Sequence, residues 1–203
     1  MLDDIIVIDD AITLDRQQEI EKICLSDSFG WVFHLTTAYS KEYLSTHNLP
    51  KCFLDNAVES PLFTHLLWNQ YGRNSYFCND FFPIVDAIPA NFDRLLRFKI
   101  NLTLPTKDTT IHTHSIPHVD FDTLDANLIT AIYYINDSDG DTIIFNERYG
   151  SSIESLTVKK RITPKRGRLV VFDSGYYHAG NNPSTNTPRL TANINLQQEF
   201  APR

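Results

Sequence analysis

Asn127-Leu128-Ile129-Thr130-Ala131-Ile132-Tyr133-Tyr134-Ile135-Asn136 is a β-branched and aromatic run bounded by polar residues, and it reads as a strand. Asp137-Ser138-Asp139-Gly140-Asp141 has the composition of a turn, and Thr142-Ile143-Ile144-Phe145 returns as the next strand. Farther out, Leu156 to Ile162 alternates weakly, Pro164-Lys165-Arg166-Gly167 is a second turn, and Arg168-Leu169-Val170-Val171-Phe172 reads as a buried strand. Ser174-Gly175 turns again, Asn181 to Pro188 is a long polar loop, and Leu190 to Leu196 closes the series. Upstream, Leu95 to Leu104 and Ile111 to His118 supply two more strands. About eight short strands at roughly 8–12-residue spacing form the pattern of a sandwich or barrel.

His118-Val119-Asp120 ends the upstream strands, and a lone His178 follows inside Ser174-Gly175-Tyr176-Tyr177-His178-Ala179-Gly180. Two imidazoles and one carboxylate are the side chains of a facial triad, which holds a non-haem Fe(II) on one face and leaves positions open for substrates. Residues two apart on a strand share a face, so His118 and Asp120 can look into one cavity with Val119 packed outside. His178 must then arrive on another strand. A hard carboxylate with borderline imidazoles suits Fe(II) better than the thiolate-rich sets of structural zinc. The plainer reading of His118-x-Asp120 is a His capped by a nearby Asp at a strand end. Arg189, shortly after the second His, is placed to hold an acidic co-substrate beside the metal.

Pro117-His118-Val119-Asp120, Ile129 to Asn136, Gly140 to Phe145, Pro164 to Phe172 leading to His178, and then Arg189 stand in an order that resembles the Fe(II)/2-oxoglutarate-dependent dioxygenases. Among these, the chain looks most like the prolyl 4-hydroxylase-like group, and the resemblance spans roughly residues 95 to 198. It implies a mainly β fold with flanking helices and a double-stranded β-helix (jelly-roll) core, the triad lying at its open mouth. It implies His118, Asp120 and His178 as catalytic metal ligands and Arg189 as the partner of the far carboxylate of 2-oxoglutarate. A guanidinium fork suits that task because it binds carboxylate bidentately and stays charged when buried. Thr191, two residues on, shares the face of Arg189, and Tyr134 sits where such enzymes often place a further hydroxyl. Many prolyl hydroxylases carry Lys where this chain has Arg189. The cofactor set implied is Fe(II), 2-oxoglutarate as co-substrate, and O2. The implied outcome is hydroxylation of a C–H bond with release of succinate and CO2, because related halogenases lack the carboxylate that Asp120 provides.

A single domain is expected over residues 1–203, with 1–94 as a supporting strand, helices and loops and 95–198 as the catalytic core. Ile5-Ile6-Val7-Ile8 reads as a short strand, and Thr13 as the cap of a helix with Ile20, Ile23 and Cys24 on one face. Ser60-Pro61 reads as a helix start, with Leu62, Phe63, Leu66, Leu67 and Tyr71 as its apolar stripe and Gly72 beyond its end. Another helix is expected near Phe82 to Leu96, broken or begun by Pro89. Residues 29 to 56 read as loops, some able to reach over the mouth.

Hydrophobic residues make up 42% of the chain and charged ones 21%, ordinary for a soluble globular protein. No apolar run approaches the roughly 20 residues that span a bilayer, so no membrane partner is expected. The acidic start Met1-Leu2-Asp3-Asp4 is unlike a secretory signal, and Cys24, Cys52 and Cys78 fit reduced thiols; a cytoplasmic location is expected. With a net charge of −7 and pI near 5.4, nucleic acid is an unlikely partner, and Lys159-Lys160-Arg161 with Lys165, Arg166 and Arg168 reads as a solvated edge. Asp137, Asp139 and Asp141 start like a calcium loop but lack its closing Glu, so turn chemistry explains them better. His112 and His114 read as a partly exposed strand end; His34, His47 and His65 read as surface or packing residues. The sequons at Asn101 and Asn136 read as coincidences. The substrate expected is a protein side chain, with prolyl among the candidates, or a small molecule; oligomeric state is left open. A cupin-like metal-binding protein or a non-catalytic jelly-roll module is the alternative, and the joint presence of His118, Asp120, His178 and Arg189 counts against it.

Overall fold

The computed structural model describes residues 5–46, 50–107, 109–121 and 127–198. Strand β1 (Ile6–Ile8) leads into helix α1 (Leu14–Cys24), and strand β2 (Val32–His34) and helix α2 (Lys41–Thr46) precede a 3-10 turn over Lys51–Leu54. Strands β3 (Leu62–Asn69) and β4 (Gly72–Arg73) and helix α3 (Cys78–Asp86) come next. The elements after α3 are strands: β5 (Arg94–Thr103), β6 (Leu128–Tyr134), β7 (Thr142–Arg148), β8 (Val158–Ile162), β9 (Leu169–Asp173), β10 (Tyr176–Gly180) and β11 (Arg189–Gln197). The larger antiparallel sheet runs β1-β9-β6-β11-β5-β3-β2, with β4 paired to β3, and the smaller runs β10-β7-β8.

Strand β11 shows how this architecture sorts side chains. Its register is fixed by unbroken pairing with β6 from Thr191 to Gln197 and by pairing with β5 that shifts once, between Asn195 and Leu196. Leu190, Ala192, Ile194 and Leu196 therefore share one face, where they pack with Ile20, Cys24, Phe81 and Ile84 of helices α1 and α3. The alternate residues Arg189, Thr191 and Asn193 line a cavity on the other face. Strand β6 is buried at all seven positions because both of its faces are covered. Its Ile132 and Tyr134 meet Val170 and Phe172 of β9 and Ile144 and Ile162 of the smaller sheet. That shared cluster is the seam between the two sheets, as a mainly β jelly-roll core requires. The far side of the smaller sheet is closed by Ile116, Val119, Ile143, Phe145, Tyr177 and Phe53.

Three expectations for local structure are corrected. The stretch expected to be a helix from Ser60 is strand β3, paired with β5 from Leu62↔Thr103 to Trp68↔Phe98. Leu62 and Leu67 are both buried, though alternation puts them on opposite faces. Apolar residues on both faces imitate a helical stripe. The second helix is α3, ending at Asp86 ahead of Pro89, and Leu95 and Leu96 belong to β5. Ile111 to His118 is not a strand but a set of turns with isolated bridges Ala57↔His114 and His118↔His178. Pro117 has no N–H to give a ladder, and the Thr113 hydroxyl closes a turn on the Thr110 carbonyl. Residues 29 to 56 carry β2, α2 and the 3-10 turn in addition to loops. His47 and the Met1–Asp4 segment lie outside the described residues.

Several of the basic and acidic residues outside the core form pairs across the chain. Lys165 and Arg168 reach Asp9, Arg166 reaches Glu21 and Arg161 reaches Asp141. Asp139 accepts bonds from the hydroxyls of Ser184 and Thr185. Cys24, Cys52 and Cys78 are free thiols, Asn101 and Asn136 are buried, and no helix is long and apolar enough to cross a membrane. Gly167 ends the turn before β9 with φ +79, and a Cβ there would meet the Gln17 amide at 2.5 Å. Gly167→Ala should lower unfolding free energy by about 1–2 kcal/mol in urea titrations. Gly30→Ala, where nothing lies within 4 Å, should stay near wild type.

Candidate metal centre

His118 and His178 face each other across an isolated antiparallel bridge, each backbone N–H donating to the other residue's carbonyl at 3.0 and 2.9 Å. Directly opposed residues of such a pair project to the same side, and the two imidazole centroids stand 4.6 Å apart. Val119 turns away into the outer apolar cluster, while Asp120 returns to the side of His118. One ligand atom from each of His118, Asp120 and His178 lies within 4.8 Å of the others. Each imidazole Nδ1 sits 3.2 Å from the carbonyl two residues before it, that of Ile116 or Tyr176. An Nδ1–H donated to that carbonyl leaves Nε2 as a bare lone pair. The His178 Nε2 is buried and has no hydrogen-bond partner. Burial, reinforced by the neighbouring His178, pulls His118 down to about 3, so its ring is neutral near pH 7.

The carboxylate is held from behind. Asp120 Oδ1 accepts from Arg97 Nη2 at 2.5 Å, and Oδ2 accepts from Asn195 Nδ2 at 2.8 Å and Thr130 Oγ1 at 3.0 Å. Arg97 Nε also donates to Asn195 Oδ1 at 2.9 Å, so one guanidinium fixes two neighbours. Burial alone would raise the Asp120 carboxyl; the positive field of Arg97, followed by the two imidazoles, holds it far below the usual carboxylate range. A buried carboxylate and two imidazoles, converging with an orphaned nitrogen among them, fit a divalent cation.

A second polar cluster lies along the same cavity wall. Arg189 is 7% exposed, donates from Nη2 to Thr142 Oγ1 at 2.5 Å, and keeps a buried Nε without a partner. The Tyr134 hydroxyl also donates to Thr142 Oγ1, at 2.7 Å. The Thr142 oxygen thus accepts twice, and its own proton is left to donate into the cavity that it lines. Arg189 forms no ion pair among the described residues, and burial lowers its pKa. Gly180 makes room for it, since a Cβ there would stand 2.9 Å from Arg189 Nη1. Thr191 lines the cavity and donates to Asn193 Oδ1 at 3.1 Å. Tyr134 lies behind Thr142 as its support. Lys99 also lines the cavity; burial, then Arg97, draws its ammonium down to about 8.

Residues 108–197 match the model of the 2OG-Fe(II) oxygenase superfamily. The matched segment belongs to that superfamily. The match indicates an oxygenase enzyme of the kind that works with Fe(II), 2-oxoglutarate and O2. Its fold is similar to the non-haem α-ketoglutarate-dependent epimerase SnoN from nogalamycin biosynthesis, at TM-score 0.64 and 12% identity over 96% of this chain and 78% of that one. It is also similar to a prolyl hydroxylase of Trichoplax adhaerens solved with a hypoxia inducible factor peptide fragment, at TM-score 0.59 and 11% identity over 97% and 84% of the two chains. A Pseudomonas putida prolyl-4-hydroxylase gives TM-score 0.55 and 13% identity over 96% and 92%. No curated protein sequence matches.

For this oxygenase the structure brings His118, Asp120, His178, Arg189 and Thr191 to one cavity, with Tyr134 just behind its wall. Sequence reasoning missed Thr142, Thr130, Arg97, Lys99 and Asn195. The period-2 polar faces Arg97-x-Lys99-x-Asn101-x-Thr103 and Arg189-x-Thr191-x-Asn193-x-Asn195 were the available signal. His114 is buried, against the expectation of a solvent-facing ring, with Nδ1 2.8 Å from the Ser115 carbonyl and its ring edge-on to Phe145. His112 is exposed, and neither lines the triad cavity. His34 is an exposed partner of Thr64, and His65 stacks on Phe29 while bridging Gly30 and Ser75.

The Arg97–Asp120 pair joins a 28% exposed side chain to a 4% exposed one. Arg97→Met should cost about 1–3 kcal/mol of metal-free stability at pH 7, because it strips a buried carboxylate of its charged donor. Adding Asp120→Asn should recover part of that loss. A double-mutant cycle in urea with chelator present measures the coupling, and additive losses would mean that the pair contributes nothing.

Proposed function

We propose that His118, Asp120 and His178 hold Fe(II), that Arg189 binds the far carboxylate of 2-oxoglutarate, and that the chain hydroxylates a C–H bond of a protein side chain or small metabolite. The observation that carries the reading is the buried Arg189 guanidinium, which has no carboxylate partner among the described residues and shares a cavity with the triad. An unpaired buried cation is costly unless a ligand supplies the counter-charge. When bound, Fe(II) with O2 and 2-oxoglutarate supplies the oxidation, one oxygen atom entering the substrate C–H bond and the other entering succinate as CO2 leaves.

The protein residues bind and orient. Arg189 presents its fork to the carboxylate, and the free Thr142 proton adds a second donor beside it. Tyr134, donating to Thr142, fixes which way that proton points. Thr191 is held by Asn193 and shapes the cavity wall; its hydroxyl oxygen retains lone pairs for a ligand donor. The outward Nδ1–H bonds of the two imidazoles keep both Nε2 atoms aimed at one point. Arg97, Thr130 and Asn195 keep Asp120 ionised, so no proton needs to leave it when a cation enters. A single domain of this kind, acting in the cytoplasm on a peptide or small-molecule substrate, accords with the composition.

Anaerobic addition of Fe(II) and 2-oxoglutarate should produce the weak visible charge-transfer band of a metal-bound 2-oxo acid, and Asp120→Ala should abolish both the band and substrate-coupled succinate release. An Asp120→Ala protein with wild-type turnover would sink the ligand assignment. Arg189→Ala should weaken 2-oxoglutarate binding by about 100-fold, the loss of a charge-assisted pair of roughly 2–3 kcal/mol, while iron affinity changes little. Equal losses in both titrations would make Arg189 structural. Gly180→Ala, crowding the guanidinium, should raise the 2-oxoglutarate Kd by a smaller factor without altering iron binding.

A further inference from the structure

Lys99 stands out because it lines the cavity beside the proposed centre and its ammonium bonds none of the centre's residues. It lies on β5 level with Asn193 of β11 and Leu66 of β3, whereas Thr103 of the same strand is level with Arg189. Four residues of strand therefore separate the levels of the two cations, roughly 13 Å at about 3.3 Å per residue. Arg97 is taken by Asp120 and Asn195, and Arg189 by Thr142. Lys99 makes no side-chain hydrogen bond or ion pair among the described residues.

Its position is a junction. Lys99, Leu62 and Thr37 line the triad cavity and also a groove that opens beside it, whose wall includes Leu35, Ala38 and Leu66. Leu35 and Leu66 are 80% and 37% exposed, so the groove offers apolar surface to solvent directly next to a lone ammonium. We propose that the groove and Lys99 together select an organic acid as the primary substrate, with the carboxylate on Lys99 and an apolar body along Leu35, Leu62 and Leu66. This rests on the oxygenase reading of the same cavity. One free positive charge matches a monoanionic carboxylate, whereas a phosphate dianion would bring a charge that no second cation answers. A ligand so anchored has its anion two inward positions of β5 away from the Arg189 level, beside the Arg97–Asn195 level that holds Asp120.

The test compares octanoate and N-acetyl-leucine with their primary amides, by anaerobic calorimetry on protein loaded with Fe(II) and 2-oxoglutarate. Wild type should bind each acid at least about tenfold tighter than its amide, a preference of roughly 1.4 kcal/mol. Lys99→Met should erase the preference, Lys99→Arg should retain it, and neither should move the 2-oxoglutarate Kd more than about twofold. Acids that bind no tighter than amides, or not at all, overturn the proposal. So does a Lys99→Met protein whose 2-oxoglutarate affinity falls as far as its acid affinity, since Lys99 would then belong to the co-substrate. Loss of the charge-transfer band in wild type is a separate failure, that of the metal centre, because calorimetry reads the acid–amide difference without it.

Discussion

The Asp120 carboxylate is buried between two sheets and ionised, and much of the surrounding structure serves to keep it so. Left alone in such a place a carboxyl would protonate. Arg97 from β5, Asn195 from β11 and Thr130 from β6 each give it a donor. Those three strands are neighbours in the larger sheet, so the carboxylate is bound by the register of the sheet itself. A one-residue slip of β11 would turn Asn195 toward the helices and bring Leu196 against the charge. The apolar partners of β11 on helices α1 and α3 oppose that slip, and so the helical layer guards a site that it never touches.

The opposite side of the centre is built on different terms. His118 and His178 are joined by a single bridge at the margin of the smaller sheet, with no extended ladder around His118. The two imidazoles are oriented by their own backbones, through carbonyls two residues earlier in each case. Rigid donors hold the anion and short local contacts aim the imidazoles. This division suits a site in which charge must be fixed and coordinating lone pairs must converge.

Much of the larger plan was legible in the chain because alternation and turn residues are local. Apart from β10, for which only the presence of a strand carrying His178 was inferred, the strands from Leu128 to Leu196 could be read within two or three residues of their observed bounds, since Asp137 to Asp141, Pro164 to Gly167 and Asn181 to Pro188 punctuate them. His118, Asp120, His178 and Arg189 could be singled out because two imidazoles, a carboxylate and a later guanidinium follow one another in the order of a metal site with an acidic co-substrate. Strand β3 was not legible: its apolar residues stand on both faces, so Leu62, Phe63, Leu66 and Leu67 carry no period that separates strand from helix. Arg97, Asn195 and Thr142 were hidden for another reason. Each is unremarkable in its own stretch and acquires a role only through pairing across long sequence distances, as when Asn195 lies beside Arg97 and Thr130.

The same pairing gives the cavity its direction. Thr142 begins β7 opposite Gly180 of β10, and Arg189 begins β11 opposite Thr103 of β5. Arg189 and Thr142 are therefore at the starts of their strands, walled by the Gly140 turn, where a Cβ would strike the Asn181 carbonyl oxygen at 2.6 Å. Lys99 lies farther along, where β5 meets β3 and the wall opens toward Leu66 and Leu35. A guanidinium enclosed at one end and an ammonium open to a groove at the other cannot be serving the same small diacid equally. The enclosed end accords with the proposed seat of a fixed co-substrate, and the open side with a proposed ligand whose body extends beyond the cavity. On the proposed assignment, specificity for the oxidised molecule would rest on β3, β5 and the Leu35–Ala38 segment, and the chemistry on the residues that follow them in the chain.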